Sequence, residues 1–195
     1  MGEQSATMRQ EPTARETLLR TEFWEQYTRR VSDGDAHVAH VYVRSLSPPL
    51  GARGAQERVL ERLQALEDAG TFDAVELDVV GEQLCTESVA TELETVESVL
   101  DDVGDIREWT DCECRAAEVF DRRTIHSRTT GEEYETLRTP RVLLTVSVDD
   151  SLVAVFPCVA AGTCVSVVDY LDLLVERTGS ARDDTREAQL TGTPL

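Results

Sequence analysis

The sequence predicts a single α+β domain, a mixed or mostly antiparallel sheet with packed helices, opening with a strand-helix-strand unit. Three observations predict it. His37 to Leu46 carries Val38, Val41, Tyr42 and Val43, and a β-branched and aromatic run apolar on both faces suits a strand inside a sheet. From Arg53 to Ala69, Val59, Leu60, Leu63 and Leu66 fall on one side of a helix, and Gly70 stands where it would stop. Phe72, Val75, Leu77 and Val79 then alternate with Asp73, Glu76 and Asp78, the period of a strand with one wet face. If the two strands are parallel neighbours, the helix is a right-handed crossover.

The remaining elements are placed to cover or extend this unit. Residues 1–13 are polar and are expected to be disordered. Residues 14–31 read as an amphipathic helix, because Leu19, Phe23 and Tyr27 recur every four residues with Leu18 and Trp24 beside them. That stripe docks either on the chain's own sheet or on a partner, which makes Phe23, Trp24 and Tyr27 the partner-contact candidates, for a homodimer or another protein. Residues 37–178 form the α+β domain, and 179–195 a second disordered tail. Within the domain, Thr91 with Glu94 has the spacing of a capped helix start, and Leu93, Val96, Leu100, Val103 and Ile106 carry that helix to about Trp109. A weaker strand follows from Arg115 to His126, then a turn around Gly131. Val142–Val148 and Leu152–Phe156 flank Asp149, Asp150 and Ser151 as a hairpin. Ser166 with Asp169 resembles the cap of a final helix.

Composition sets the environment. The chain has 195 residues, 38 acidic against 19 basic, for a formal net charge of −19, and every basic residue is Arg. Between Glu67 and Glu118 stand 17 acidic residues against Arg107 and Arg115. Carboxylates hold water and cations, and near 1 M salt the Debye length falls to about 3 Å, so such self-repulsion is tolerable in a saline cytoplasm. The reading is a halophilic protein; a generic acidic protein is the alternative. Cys85, Cys112, Cys114, Cys158 and Cys164 are odd in number and widely spread, which suits a reducing compartment better than a disulfide scaffold. No apolar run approaches the roughly 18 residues of a membrane helix, and the first residues lack an apolar signal core. A cytoplasmic protein with no membrane partner is expected.

Candidate chemistry is sparse. Cys112 and Cys114 are spaced more closely than zinc ligands usually are. His37 and His40, three apart in an extended chain, point to opposite faces, and His126 belongs to no motif. No Ser or Cys stands in a nucleophile elbow and no Gly-rich loop cradles phosphate. Neither catalytic residues, metal ligands nor a cofactor are assigned. Arg44, Arg53, Arg58 and Arg62 gather in the opening strand and its helix and are the DNA-contact candidates, although Glu57, Glu61 and Glu67 offset them and such mixtures commonly form surface ion pairs.

The order of several short motifs is similar to that of small haloarchaeal proteins identified as helix-turn-helix domain proteins. These are Val43-Arg44-Ser45-Leu46-Ser47-Pro48-Pro49, the helix from Gln56 to Leu66, Val80-Gly81, Thr130-Gly131-Glu132 with Tyr134, Pro140, and Val155-Phe156-Pro157-Cys158 before a helix with Asp169 and Leu171. The resemblance spans about His37 to Glu176 and implies a non-enzymatic, DNA-binding transcriptional regulator without catalytic residues. A helix-turn-helix needs two helices joined by a short turn, whereas Phe72 to Val80 alternates like a strand; a protein-interaction or small-ligand module is the alternative. The halophilic reading carries its own test. On dilution from molar KCl into low salt, circular dichroism is expected to show the chain unfolding, and retention of the full signal would favour the generic acidic protein.

Overall fold

The computed structural model describes residues 12–85, 104, 106, 121–126, 128 and 131–191, with backbone alone at 50, 52, 85, 121 and 180–191. The opening unit is a strand β1 (His37–Val43), a helix α3 (Leu50–Asp68) and a strand β2 (Ala74–Val79), preceded by helices α1 (Ala14–Leu19) and α2 (Glu22–Asp33). Strands β3 (Gln83–Cys85), β4 (Asp121–His126), β5 (Glu133–Arg138), β6 (Val142–Val148), β7 (Ser151–Phe156), β8 (Cys158–Ala160) and β9 (Thr163–Val165) follow, and helix α4 (Val167–Thr191) completes the described chain.

The main sheet has the order β2-β1-β6-β7. β1 is parallel to β2 and antiparallel to β6, with Val43 opposite both Val79 and Val142, and β6 is antiparallel to β7. The fold is therefore α+β with a mixed sheet, as the sequence predicts. Two-residue alternation divides β1 cleanly. Ala39, Val41 and Val43 turn to one face and meet Val59, Leu63 and Leu66 of α3, Tyr170, Leu171 and Leu174 of α4, and Trp24 and Tyr27 of α2. Tyr42 turns to the other face, where Leu143, Val155, Leu84, Leu137 and Ile106 gather. Leu84 and Leu137 belong to a second, antiparallel sheet of order β3-β5-β4. β8 and β9 form a separate ribbon around Ala161 and Gly162, both at positive φ.

Several expectations are revised. The helix expected over 14–31 is broken at Arg20 and Thr21. Each piece has its own cap: Thr13 accepts from Glu16 N in a capping box with the Glu16 carboxylate, and Thr21 accepts from Trp24 N. Thr13 donates twice to the Glu16 carboxylate, the backbone N–H being the stronger influence, and this holds the carboxyl below its ordinary range. The break turns Leu18 rather than Leu19 inward; Leu18 is 0% and Leu19 39% exposed. The tail expected from 179 is helical to Thr191, consistent with the helix-favouring Ala181, Arg182, Arg186, Glu187, Ala188 and Gln189. On β2, Leu77 and Val79 are 42% and 52% exposed, because β2 is an edge strand whose outer end no described residue covers. β3, β5 and the β8–β9 ribbon are strands where the sequence shows no strand period. The expected disorder over 1–13, apart from Pro12 and Thr13, lies outside the described residues. So do the helix from Thr91, apart from helical Gly104 and Ile106, the pair Cys112 and Cys114, and the strand from Arg115 to Phe120.

Two close fits hold the N-terminal helices to the sheet. A Cβ on Gly34 would lie 2.0 Å from Val148 Cγ1 and 2.9 Å from Asp149 Oδ2, so the α2–β1 turn can pass under the β6–β7 hairpin only as glycine. Asp149 and Asp150 form that hairpin's turn at φ 50° and 62°, and the Asp149 carboxylate accepts from Asp35 N at 3.2 Å and Ala36 N at 3.0 Å. Deeper, the Tyr27 and Tyr170 hydroxyls meet at 2.6 Å, with Tyr170 stacked on Phe156 at 4.1 Å.

Burial pushes both phenols up, Tyr27 to about 12; their mutual hydrogen bond opposes the shift at Tyr27 and adds to it at Tyr170. Folded Tyr27 therefore holds its proton above pH 10, where the unfolded chain releases it. Stability from this pair is fully present below pH 10 and falls as pH rises through about 12. With no Lys in the chain, lysine titration does not overlap this window. Denaturant titrations between pH 9 and 12 are expected to show that decline, and Tyr27→Phe to flatten it; identical slopes in the two proteins would refute the assignment.

Candidate nucleic-acid interface

The four DNA-contact candidates do not form one surface. On α3, Arg53 is exposed and its Nε donates to Glu57 Oε1 at 2.8 Å, while Arg58 is exposed without an ion pair among the described residues. Arg62 instead donates to Asp172 of α4, whose other oxygen lies 3.5 Å from Arg15 of α1. Arg15 also pairs with Glu176. One carboxylate thus ties three helices together, and Arg62 serves packing. A helix advances 100° per residue, which puts Arg53 well around the helix from Arg58 and Arg62.

Arg44 has the most elaborate surroundings. It follows β1 directly, and its Nε donates to Thr139 O at 2.8 Å and Pro140 O at 3.2 Å, with Nη2 also donating to Thr139 O. Its Nη1 lies 3.5 Å from Glu82 Oε1, the same oxygen that lies 3.5 Å from Arg138 Nη2. Arg141 joins through its backbone, its carbonyl accepting from Arg44 N at 3.4 Å. Burial presses the Arg44 guanidinium down from its ordinary value; Glu82 opposes this, and the charges of Arg138 and Arg141 add to it. Thr139 locks the loop from beneath, its hydroxyl donating to Gly81 O at 2.6 Å.

Two guanidiniums, those of Arg44 and Arg138, therefore share one carboxylate at the carboxyl end of β1, with the charge of Arg141 near enough to act on Arg44, in a chain with twice as many acids as bases. Arg138 is 41% exposed at its side chain and Arg141 is exposed. α3 begins at the same end of the sheet, its N-cap Pro49 offering no side-chain cap and its first turn no acid. A guanidinium has five donors in a fixed fork suited to phosphate oxygens, so the exposed arginines of this edge are equipped to meet an anion. Sequence reasoning missed Arg138 and Arg141. They are far from Arg44 in the chain, and only the pairing of β6 with β1 brings them there.

The other candidates are placed differently. Trp24 and Tyr27 are buried and Phe23 is half-buried against the core, so α2 docks its aromatic side on the chain's own sheet. His37 faces the helices, and His40 the opposite side, where its Nε2 meets Asp78 Oδ2 at 2.7 Å and its Nδ1 the Tyr42 hydroxyl at 2.9 Å. His126 pairs with Glu133 at 3.1 Å on an exposed strand. Cys158 is buried and Cys164 exposed. No group of three or more His, Cys, Asp and Glu among the described residues is placed to hold a metal, and no described helix is long and apolar enough to cross a membrane.

Fold and surface together define an α+β protein with a cationic edge on a mixed sheet. Its sequence matches the family model described as a helix-turn-helix domain over residues 31–179, and the chain belongs to that family. No curated protein and no solved structure matches it. α3 is followed by strand β2, and among the described residues of the matched range no two α-helices succeed each other across a short turn; α1 and α2, which do, lie before it but for the last residues of α2.

The geometry separates structural from surface arginines. Arg44→Ala strips donors from two loop carbonyls and is expected to lower unfolding stability by about 1–3 kcal/mol. Arg53→Ala removes an exposed i,i+4 pair and is expected to cost under about 0.5 kcal/mol. Urea unfolding of both variants at one KCl concentration checks the order.

Proposed function

We propose that this is a non-enzymatic regulatory protein of a saline cytoplasm that binds DNA. The observation that carries the reading is membership of the helix-turn-helix domain family across residues 31–179. The phosphate contacts fall to Arg138 and Arg141 of the arginine edge, which Arg44 braces, and to Arg53 and Arg58 as separate contacts on different sides of α3. Arg62 acts indirectly, by holding α3 against α4.

Net charge makes this an unusual binder. A chain at −19 repels a polyanion at long range, so approach requires screening; at about 1 M salt the field dies within roughly 3 Å and only direct contacts act. Counterion release contributes little there, and close, forked arginine contacts supply the affinity. The mixture of acid around a local arginine cluster fits that regime.

Electrophoretic shifts with pooled genomic fragments in molar KCl test the proposal. Binding is expected, with Arg138→Ala/Arg141→Ala and Arg53→Ala/Arg58→Ala each weakening it. Each pair is also expected to reduce the salt slope by roughly one for every phosphate that is no longer neutralised. No shift with any fragment, or affinity unchanged in the combined quadruple variant, rules the reading out.

A further inference from the structure

At the opposite end of β1 from the arginine edge lies a cavity of ≈ 340 Å³ between α2, α4 and the turn into β2. Its walls are apolar and aromatic: Tyr27 and Val31 from α2, Phe72, Val146 from β6 and Leu174 from α4. A cavity of about 150 Å³ suffices for benzene, so this one has room for a ring with a side arm. Two polar groups converge on it. The His37 ring also lines it, and His37 Nε2 is buried with no hydrogen-bond partner. Arg177 stands exposed at its edge, over the Trp24 ring at 5.3 Å, with no ion pair among the described residues.

The His37 nitrogen is unusual in this molecule: among the described residues it and Thr17 Oγ1 are the buried side-chain atoms without a hydrogen bond. Buried polar atoms in folded proteins are almost always paired, and an exception calls for a reason. Arg177 adds a cation beside the apolar cavity with no carboxylate among the described residues to offset it, whereas Arg15, Arg44, Arg53, Arg62, Arg122 and Arg138 each have one. The cavity's hydroxyls already have partners: Thr28 Oγ1 donates to Trp24 O and Ser32 Oγ to Thr28 O within the helix, Thr71 Oγ1 pairs with Thr178 Oγ1 at 3.2 Å, and the Tyr27 hydroxyl with that of Tyr170. What is left is one ring nitrogen, one guanidinium and an apolar chamber of ligand-binding dimensions.

We infer that this cavity binds a small aromatic monocarboxylate, its ring between Tyr27, Phe72 and Leu174 and its carboxylate between Arg177 and His37 Nε2–H. Arg177 supplies the charge and a forked pair of donors. His37 supplies a desolvated donor that only a ligand with an acceptor at its buried end can satisfy. Neutral isosteres leave Arg177 uncompensated and are discriminated against. The inference concerns a site separate from the arginine edge and is measured without DNA, so its failure and that of the DNA reading are distinguishable.

Calorimetric titration and thermal-shift measurement of the full chain, at one KCl concentration, with benzoate, 3-phenylpropionate and indole-3-acetate provide the test, each acid paired with its primary amide. At least one acid is expected to bind saturably at one site and its amide at least tenfold more weakly. Arg177→Gln, an exposed change that loses only the contact over Trp24 and keeps a cooperative thermal transition near the parent's, is expected to bring the acid down to the amide's level. Val31→Trp, which fills the cavity, is expected to abolish both. No saturable binding of any of the three acids up to about 10 mM, equal binding of acid and amide, or an acid affinity indifferent to Arg177→Gln overturns the inference. Arg177→Gln decides the matter even if Val31→Trp does not fold.

Discussion

β1 is hydrogen-bonded on both edges and buried on its two faces, and everything else is arranged around that constraint. A strand with a partner on each side satisfies its own polar backbone, so its environment can be dry. Ala39, Val41 and Val43 lie under helices and Tyr42 under the second sheet. Because the strand is central and parallel to β2, the chain must cross over through α3, and because it is antiparallel to β6, residues 138–141 arrive at its carboxyl end. The arginine edge is a by-product of that register. The cavity is its counterpart at the amino end, where α2 enters and the α3–β2 turn closes.

How much of this was legible depends on whether a signal is local. The β1–α3–β2 unit is written in period: a continuous apolar run, a helical stripe, then strict alternation. Phe72 to Val79 settles as a bend at Asp73 leading into β2 at Ala74–Val79, where a helix-turn-helix would need a second helix after a short turn. The hairpin and the Ser166–Asp169 cap were also readable, since each rests on residues within a few positions of one another. The break at Thr21 was readable in principle, because Thr21 stands three residues before Trp24 as a cap would, but the four-residue aromatic stripe ran straight through it. β5 was hidden because Glu133, Glu135 and Arg138 dilute its apolar residues, and β8 and β9 are too short to show a period.

The sites were less legible than the elements. Four arginines clustered in sequence suggested a patch, yet Arg62 is turned inward to Asp172 and Arg44 to backbone carbonyls. Charge in a sequence says how many cations there are, not which are already engaged. The reverse holds for Arg138, Arg141 and Arg177, which stand in ordinary surroundings in the chain and acquire meaning only from neighbours that folding brings. His37 belongs to no motif in the sequence, and in the structure its Nε2 is notable because it makes no bond.

The pairing of Tyr27 with Tyr170 joins residues 143 positions apart, and that separation has a consequence for synthesis. α3 can pack on β1 and β2 as soon as they leave the ribosome, since those contacts are local. The face they share stays open until the last helix is made, because α4 supplies Tyr170, Leu171 and Leu174, and Asp172 for Arg62. A nascent chain therefore carries an exposed apolar surface through most of its translation, and the long-range contacts that close it slow the final step. The strongly acidic stretch between residues 67 and 118 emerges in that interval, and the water its carboxylates hold keeps neighbouring nascent chains apart at contact even where salt screens their repulsion.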